Sequence, residues 1–212
     1  MAAAFYKTRR IGQLNSEMSR NSVGAPCFFR FEAVLMLSVC FACYIKYEVN
    51  AMKQKKTNAM RILDREGIDY EMRTFKMGKD HIEGQEVAKL IGADPEQVFK
   101  TLLFINNNHD PYVFVIPVES HLDMKHAAQA VGEKKLHLLP LDELTKVTGY
   151  IRGGCSPIGM KHAYPTVIDQ SAEQQEKIFV SGGLRGVQMG VNVSELIQAT
   201  EAKVADVATH EG

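Results

Sequence analysis

A chain of 212 residues, 45% hydrophobic and 24% charged, has the make-up of a soluble globular protein of one domain plus an appendage. Its 25 basic and 25 acidic residues cancel; six of the basic and three of the acidic lie in residues 1–51, leaving 19 basic against 22 acidic in the remainder. A slightly acidic body excludes a general nucleic-acid binder, because non-specific affinity for phosphates needs clustered Lys and Arg. Any nucleic-acid substrate then needs local contacts, or a partner that holds it.

Residues 1–51 differ from the rest. They begin basic and polar and continue into an apolar stretch from Ala33 to Ile45, about the length of a signal core and short for a membrane span. The segment MKQKKTNAM beginning at Met52 resembles a bacterial N-terminus, so the preferred reading is a true start at Met52. A signal-like anchor and a disordered arm are the alternatives. Cys27, Cys40 and Cys43 all lie in this leader, and Cys155 is the one cysteine of the body. A single body cysteine gives no disulfide framework and fits a reducing, cytoplasmic compartment. The C-x-x-C pair at Cys40 and Cys43 sits in an apolar run without a second ligand pair, so it is not read as a metal or redox site.

From Met52 the elements follow in regular order. Thr57–Glu66 predicts a short helix stopped by Gly67, and 68–75 alternates as a strand. Residues 85–91 predict a second helix ended by Gly92. Asp94, Pro95 and Gln97 mark another helix start, through an Asp cap, Pro in the first turn and Gln at the capping-box position. The run VFKTLLFI at 98–105 predicts a strand that pairs as a hairpin with 112–118 across the turn-rich 106–111. Helices are expected from Asp123 to Val131, closed by Gly132, and from Leu141 to Val147, closed by Gly149. Strands are expected at 167–169 and 178–181, and a last helix opens at the Asn192–Glu195 capping box and runs to about Ala199. Helices and strands interleaved through short links predict one α/β or α+β domain spanning 52–212.

Three segments are candidates for chemistry. Lys100 lies in an apolar run whose two faces are both hydrophobic. An ammonium group there is costly to desolvate unless it is paired, neutralised or opened to a pocket, so it marks either a site or a stem that packs while its head reaches water. The loop TGYIRGGCSPIG at 148–159 offers Gly153 and Gly154, whose backbone admits close approach to a ligand, and Pro157 stiffens its exit. Such a loop either polarises a carbonyl or is a tight turn. VSGGLRG at 180–186 repeats the Gly-Gly pattern with Ser181 and Arg185. It lacks the spacing of a phosphate loop or dinucleotide fingerprint, and Arg185 is either an anion-binding fork or a solvated turn residue. No histidine pair has convincing ligand spacing with a supporting carboxylate, so a zinc site is not expected. There is no G-x-S-x-G elbow. Cys155 is read as a small buried thiol rather than a nucleophile.

Together and in this order, VFKTLLF, VFVIPV, LDMKHAAQAVGEKK, TGYIRGGCSPIGMKHAYPTVID and IFVSGGLRGVQ resemble segments of the YbaK/EbsC family of aminoacyl-tRNA deacylases. The resemblance runs from about Met52 to the C-terminus and leaves out residues 1–51. It implies a mixed, irregular β-barrel-like sheet surrounded by helices, the type of the prolyl-tRNA synthetase editing domain. It also implies trans-editing of mischarged tRNA, chiefly release of cysteine from Cys-tRNA(Pro) or Cys-tRNA(Cys), without a cofactor. Cysteine and proline are close in size, and an apolar pocket separates such substrates by only about 1–3 kcal/mol, so a second sieve is needed.

On the family pattern Lys100 is the functional lysine. Thr101, Gly153, Gly154, Ser156, Pro157, Ser181, Gly182, Gly183 and Arg185 line the substrate. Phe75 and Gln188 occupy two further substrate positions at which some relatives carry Tyr and Asp, departures that bear on substrate preference. The family mechanism is substrate-assisted: the cysteine thiol attacks its own ester. The implied partners are the mischarged tRNA and a transient complex with prolyl-tRNA synthetase, with no stable membrane partner. Editing of another amino acid, such as alanine on the same tRNA, and a non-catalytic module that binds aminoacyl-tRNA or the synthetase are the other readings.

Overall fold

The computed structural model describes residues 56–76, 82 and 84–209; the expectations for residues 1–51 and for a start at Met52 lie outside them. Helix α1, Asn58–Glu66, is set by its ends. Thr57 Oγ1 accepts the Met60 N–H at 3.2 Å, and Gly67, at φ +72, closes the last turn. Strand β1 (Tyr70–Thr74) and helix α2 (Gly84–Ile91) follow. Asp94 caps the next turn, accepting the Glu96 N–H at 3.1 Å, but the helical segment ends at Gln97 after three residues. The residues that follow explain the early stop. Val98 bridges to Phe179 and Phe99–Ile105 forms strand β2. Apolar side chains that bury on both faces of a strand outweigh a helical turn too short to propagate.

Strand β2 returns through 106–110 onto β3 (Pro111–Pro117), with Lys100 opposite Ile116. The chain continues through β4 (His121–Leu122), α3 (Met124–Ala130), β5 (His137–Leu138), α4 (Leu141–Thr148) and β6 (Thr166–Asp169). It ends in β7 (Lys177–Ser181), β8 (Val187–Asn192), α5 (Val193–Thr200), β9 (Lys203–Ala205) and β10 (Ala208–Thr209). Asp123 and Asn192 cap α3 and α5 as the sequence predicts. Strand β8 is the main element without a counterpart in the sequence reading, because Gln188 and Gly190 break its apolar pattern. Gly190 is required where it stands: a Cβ there would lie 2.7 Å from the Phe179 ring of β7.

The sheet is mixed, with helices around it. Five strands run in the order β5-β2-β3-β6-β9, antiparallel on the β2 side and parallel from β3 to β9. Three antiparallel strands run β1-β8-β7. The two sheets meet where Val98 bridges Phe179, in parallel sense. Beyond that bridge β2 and β7 part, so among the described residues the curl stops short of a closed barrel.

The main core fills the space between the sheets. Phe99, Leu103, Val113 and Val115 contribute from one, Ile178, Val180, Met189 and Val191 from the other, with Ala59, Met60 and Leu63 of α1. The opposite face of β2 and β3 packs Phe104, Phe114 and Ile116 against Ala127 and Ala128 of α3. A third cluster joins Val87, Ala88 and Ile91 of α2 to Val98 and Phe179. Both faces of β2 are therefore apolar, as its sequence implies.

At the end of β6, Asp169 is fully buried and ties three segments. Its Oδ1 accepts the Val207 and Ala208 N–H groups, each at 2.9 Å, and its Oδ2 accepts the Ser171 N–H at 3.0 Å and hydroxyl at 2.6 Å. Burial alone pushes this carboxyl upward, but the hydrogen bonds from Ser171, Val207 and Ala208 reverse the balance and hold it below the usual range. A depressed folded-state pKa contributes stability that is present above the unfolded value, about 3.9, and is lost as pH falls through the folded one. Asp169→Ala strands these donors and is expected to cost about 3 kcal/mol or more at pH 7. The gap between parent and variant should shrink below about pH 4. Urea denaturation at pH 7 and at about pH 3 checks both.

Candidate active site

Alternation along β2 puts Lys100 on the side of Val98, and Thr101 on the opposite side with Phe99 and Leu103 of the main core. The two adjacent site residues therefore face different ways. Lys100 is half-buried and its Nζ donates to the Val118 carbonyl at 3.1 Å. No carboxylate of the described residues pairs with it. Burial pushes its ammonium pKa down. Val118 is itself fixed by close packing on Gly84 of α2, where a Cβ would stand 2.5 Å from the Val118 Cβ. Lys100 is thus a cation held by one neutral carbonyl, with donor capacity left over.

Two residues past the Val98–Phe179 bridge, on the side of the bridged pair, stand Lys100 on β2 and Ser181 on β7. Ser181 lies directly opposite Gln188, and Gln188 opposite Arg73, so the three share one face of the smaller sheet. Ser181 Oγ and Gln188 Oε1 are buried without a hydrogen-bond partner, as is Thr101 Oγ1. Each such atom costs about 1–3 kcal/mol, and a native fold seldom keeps one without a use. All three belong to residues singled out from the sequence.

Arg73, by contrast, is engaged by the fold. Its Nη1 donates to the Ile91 and Gly92 carbonyls at 2.8 and 2.9 Å, its Nε to Glu71 at 2.6 Å, and its guanidinium lies 4.5 Å from the centre of the Phe179 ring. It clamps the C-terminus of α2 onto the sheet. The Phe75 N–H donates to the Gly186 carbonyl at 2.9 Å, which ties the end of β1 to the second glycine loop.

The structure brings the two glycine loops together. A Cβ on Gly154 would stand 2.9 Å from the Arg185 N and 3.0 Å from the Leu184 carbonyl carbon, so only glycine lets these backbones touch. Gly153, at φ +78, faces the Arg185 side chain. The Gly154 N–H is spent within the loop on the Ile151 carbonyl at 3.0 Å, and the Gly182 N–H on Val187 at 2.9 Å. Gly153 is left as the donor of the expected pair. Ser156 is fully buried and accepts the Ile158 N–H at 3.2 Å, and Pro157 is buried beside it. These two shape the loop from behind.

Tyr150 is a residue the sequence reading passed over. Its hydroxyl lies 2.7 Å from the Ile158 carbonyl and 3.1 Å from that of Gly159, and its ring packs on Gly183 of the other loop. One buried ring therefore holds both loops in register. Burial, then the nearby Cys155, pushes its phenol up to about 12. The available signal was the aromatic in TGYIRGG, placed next to glycines that leave room for a ring. Cys155 is buried, and burial pushes its thiol up to about 12, so it is neutral at pH 7 and not an activated nucleophile.

A shallow depression of about 490 Å³, lined by Tyr70, Glu71, Lys177 and Asn192 among others, lies at the far end of the smaller sheet and includes none of the candidate site residues. Its central carboxylate, Glu71, is already paired with Lys177 and Arg73.

The family model of the aminoacyl-tRNA editing domain matches residues 82–199, a span that holds Lys100, Thr101, both glycine loops, Ser181 and Gln188. The chain belongs to the aminoacyl-tRNA editing domain family. A protein of Enterococcus faecalis named as a candidate Cys-tRNA(Pro)/Cys-tRNA(Cys) deacylase, EbsC, is 40% identical over 158 residues, covering 74% of this chain and 96% of its own. Among solved structures, a hypothetical protein, APE2540, matches with a TM-score of 0.65 at 25% identity over 72% of this chain and all of its own. A candidate trans-editing enzyme for prolyl-tRNA synthetase gives the same score at 24% identity over 74% of this chain and all of its own. These structures share the editing-domain fold. Arg73 of β1, and Phe75 just after that strand, fall before the matched span.

Proposed function

We propose that this editing domain is a trans-editing deacylase that cleaves the aminoacyl ester of mischarged tRNA, with Cys-tRNA(Pro) as its substrate. One observation carries the reading: Ser181 Oγ and Gln188 Oε1 are buried without partners on the face that Lys100 shares. A ligand with hydroxyl and amine groups, such as an aminoacylated ribose, satisfies them. The name borne by the Enterococcus relative supports cysteine as the amino acid.

The chemistry follows from the same residues. Among the described residues the one thiol, Cys155, is neutral and buried, so the nucleophile is assigned to the substrate. The substrate cysteine sulfur bonds to its own ester carbonyl carbon, the bond to the terminal ribose oxygen breaks, and the thiol proton ends on that oxygen. Water then opens the cyclic thioester to free cysteine. Lys100 supplies a positive charge to the terminal nucleotide or the carbonyl oxygen, and the Gly153 N–H polarises the carbonyl. Because the body is slightly acidic, affinity for tRNA is weak without help. A transient complex with prolyl-tRNA synthetase supplies the missing affinity, and an aminoacyl-tRNA substrate assigns the protein to the compartment of translation.

The test is deacylation of tRNA(Pro) charged with cysteine, alanine or serine, with and without the synthetase. Rapid release of cysteine alone is the expected result, faster at dilute tRNA when the synthetase is present. Release of alanine at a comparable rate would overturn the thiol-dependent step. Binding without turnover of any of the three would make the protein a carrier rather than an enzyme.

A further inference from the structure

The first glycine loop is closed on itself and then pinned from outside. Its entry and exit meet at Tyr150, whose hydroxyl donates to the Ile158 carbonyl at 2.7 Å. The next carbonyl, that of Gly159, accepts the Asn58 Nδ2 at 2.9 Å, a bond between residues 101 apart in the chain. Gly159 is at φ +74, and a Cβ there would stand 2.8 Å from Asn58 Nδ2, 2.8 Å from Ile62 Cδ1 and 3.2 Å from the Tyr150 hydroxyl. Helix α1 and the Tyr150 side chain therefore converge on one peptide that only glycine can supply. Asn58 and Ile62 lie one turn apart on α1, and Ala59, Met60 and Leu63 sink that helix into the main core. The pin is thus mounted on a fixed element, although Asn58 itself is exposed. Both of its residues precede the span matched by the family model.

We propose that Asn58 is a positioning residue of the editing site: with Tyr150 it holds the exit of the loop at Gly159 and so fixes where the Gly153 N–H stands. The proposal rests on the deacylase reading, which assigns that N–H to the ester carbonyl. The far side of the loop is already set, because Gly154 touches the backbone of Leu184 and Arg185 and the Tyr150 ring packs on Gly183. Holding the exit as well leaves the short stretch between Tyr150 and Gly159 fixed at both ends. An exposed side-chain hydrogen bond adds little to global stability, so its removal is felt in the position of the loop rather than in the melting of the fold. Small displacements of a polarising donor cost turnover more than substrate binding.

The experiment is a double-mutant cycle on the full chain, read by kinetics on Cys-tRNA(Pro), thermal melting and amide hydrogen exchange. Asn58→Ala and Tyr150→Phe should each lower kcat about fivefold with KM unchanged, and Asn58→Ala should move the melting temperature by no more than a few degrees. The double variant should lose little more than the larger single loss, because either change frees the same exit. Amide exchange across 151–158 should quicken about fivefold in each variant while α1 keeps its parental protection. Asp64→Asn, which removes the Lys56 ion pair from the same helix without touching the loop, should keep the parental kcat. A parental kcat in Asn58→Ala, or a loss shared by Asp64→Asn, would overturn the positioning role. So would two losses that multiply in the double variant, or a fall in kcat with no change in loop exchange. Quickened exchange in the variants of a protein that deacylates no charged tRNA would sink the proposed function and leave the pin on the loop standing.

Discussion

Lys100→Met should lose deacylation by about a hundredfold or more while the folded protein melts no lower than the parent. The lysine is half-buried in an apolar strand, and burial already disfavours its charge. Its hydrogen bond goes to a neutral carbonyl, that of Val118, so the described fold offsets only part of the desolvation and offers no opposite charge. A methionine of similar length fills the same space between Val98 and Leu102 without that cost. Loss of activity with stability held or raised is the behaviour of a residue kept for function at the expense of the fold. The measurement is paired: initial rates on Cys-tRNA(Pro), and thermal melting. A variant that deacylates at the parental rate would remove Lys100 from the site. A variant that is inactive because it melts far lower would make the lysine structural.

Gly154→Ala is expected to cost about a hundredfold in kcat and about 1–3 kcal/mol in stability. The backbone of Gly154 is not in the left-handed region, so no dihedral penalty enters. The cost is steric. The added methyl would meet the Arg185 N at 2.9 Å and the Leu184 carbonyl carbon at 3.0 Å, both main-chain atoms, and one loop must move away from the other. Gly153 and Ser181 sit on either side of that seam. A displacement of even about 1 Å between groups proposed to act on one ester is enough to produce such a loss. Gly67→Ala is the control: it also replaces a glycine, in a cap remote from the site with open space around it. It should lower stability through its positive φ and leave kcat alone. Equal loss of kcat in both variants would show that the seam has no special place in catalysis.

Much of the fold was legible because local signals agreed with the tertiary outcome. Thr57 and Gly67 bound α1, Asp123 and Asn192 open their helices, and the two-faced apolar run at 98–105 is a strand buried on two faces. Asp94 misled because a cap states where a helix can start, and the apolar strand that follows decides how far it goes. Strand β8 was illegible because Gly190 answers to Phe179, a residue eleven positions earlier on another strand. Similarly, Lys100 stood out from its neighbours in sequence, whereas the pairing of Ser181 with Gln188 depends on a register that no local pattern encodes. Tyr150 was missed for the same reason. Its role is visible only when the ring is seen between two loops about thirty residues apart in the chain.

The parting of β2 and β7 after the Val98–Phe179 bridge has a consequence for how this fold can diversify. Between Lys100 and Leu103, β2 pairs with β3 alone, and β7 pairs along its length with β8 alone. The wedge between the two strands is framed by main chain, which no point substitution deletes. Gln188 stands one strand further on, opposite Ser181 of β7, so its side chain can be exchanged without touching that frame. Substitutions at such positions change side-chain chemistry one step at a time while the strand ladders that frame them stay intact.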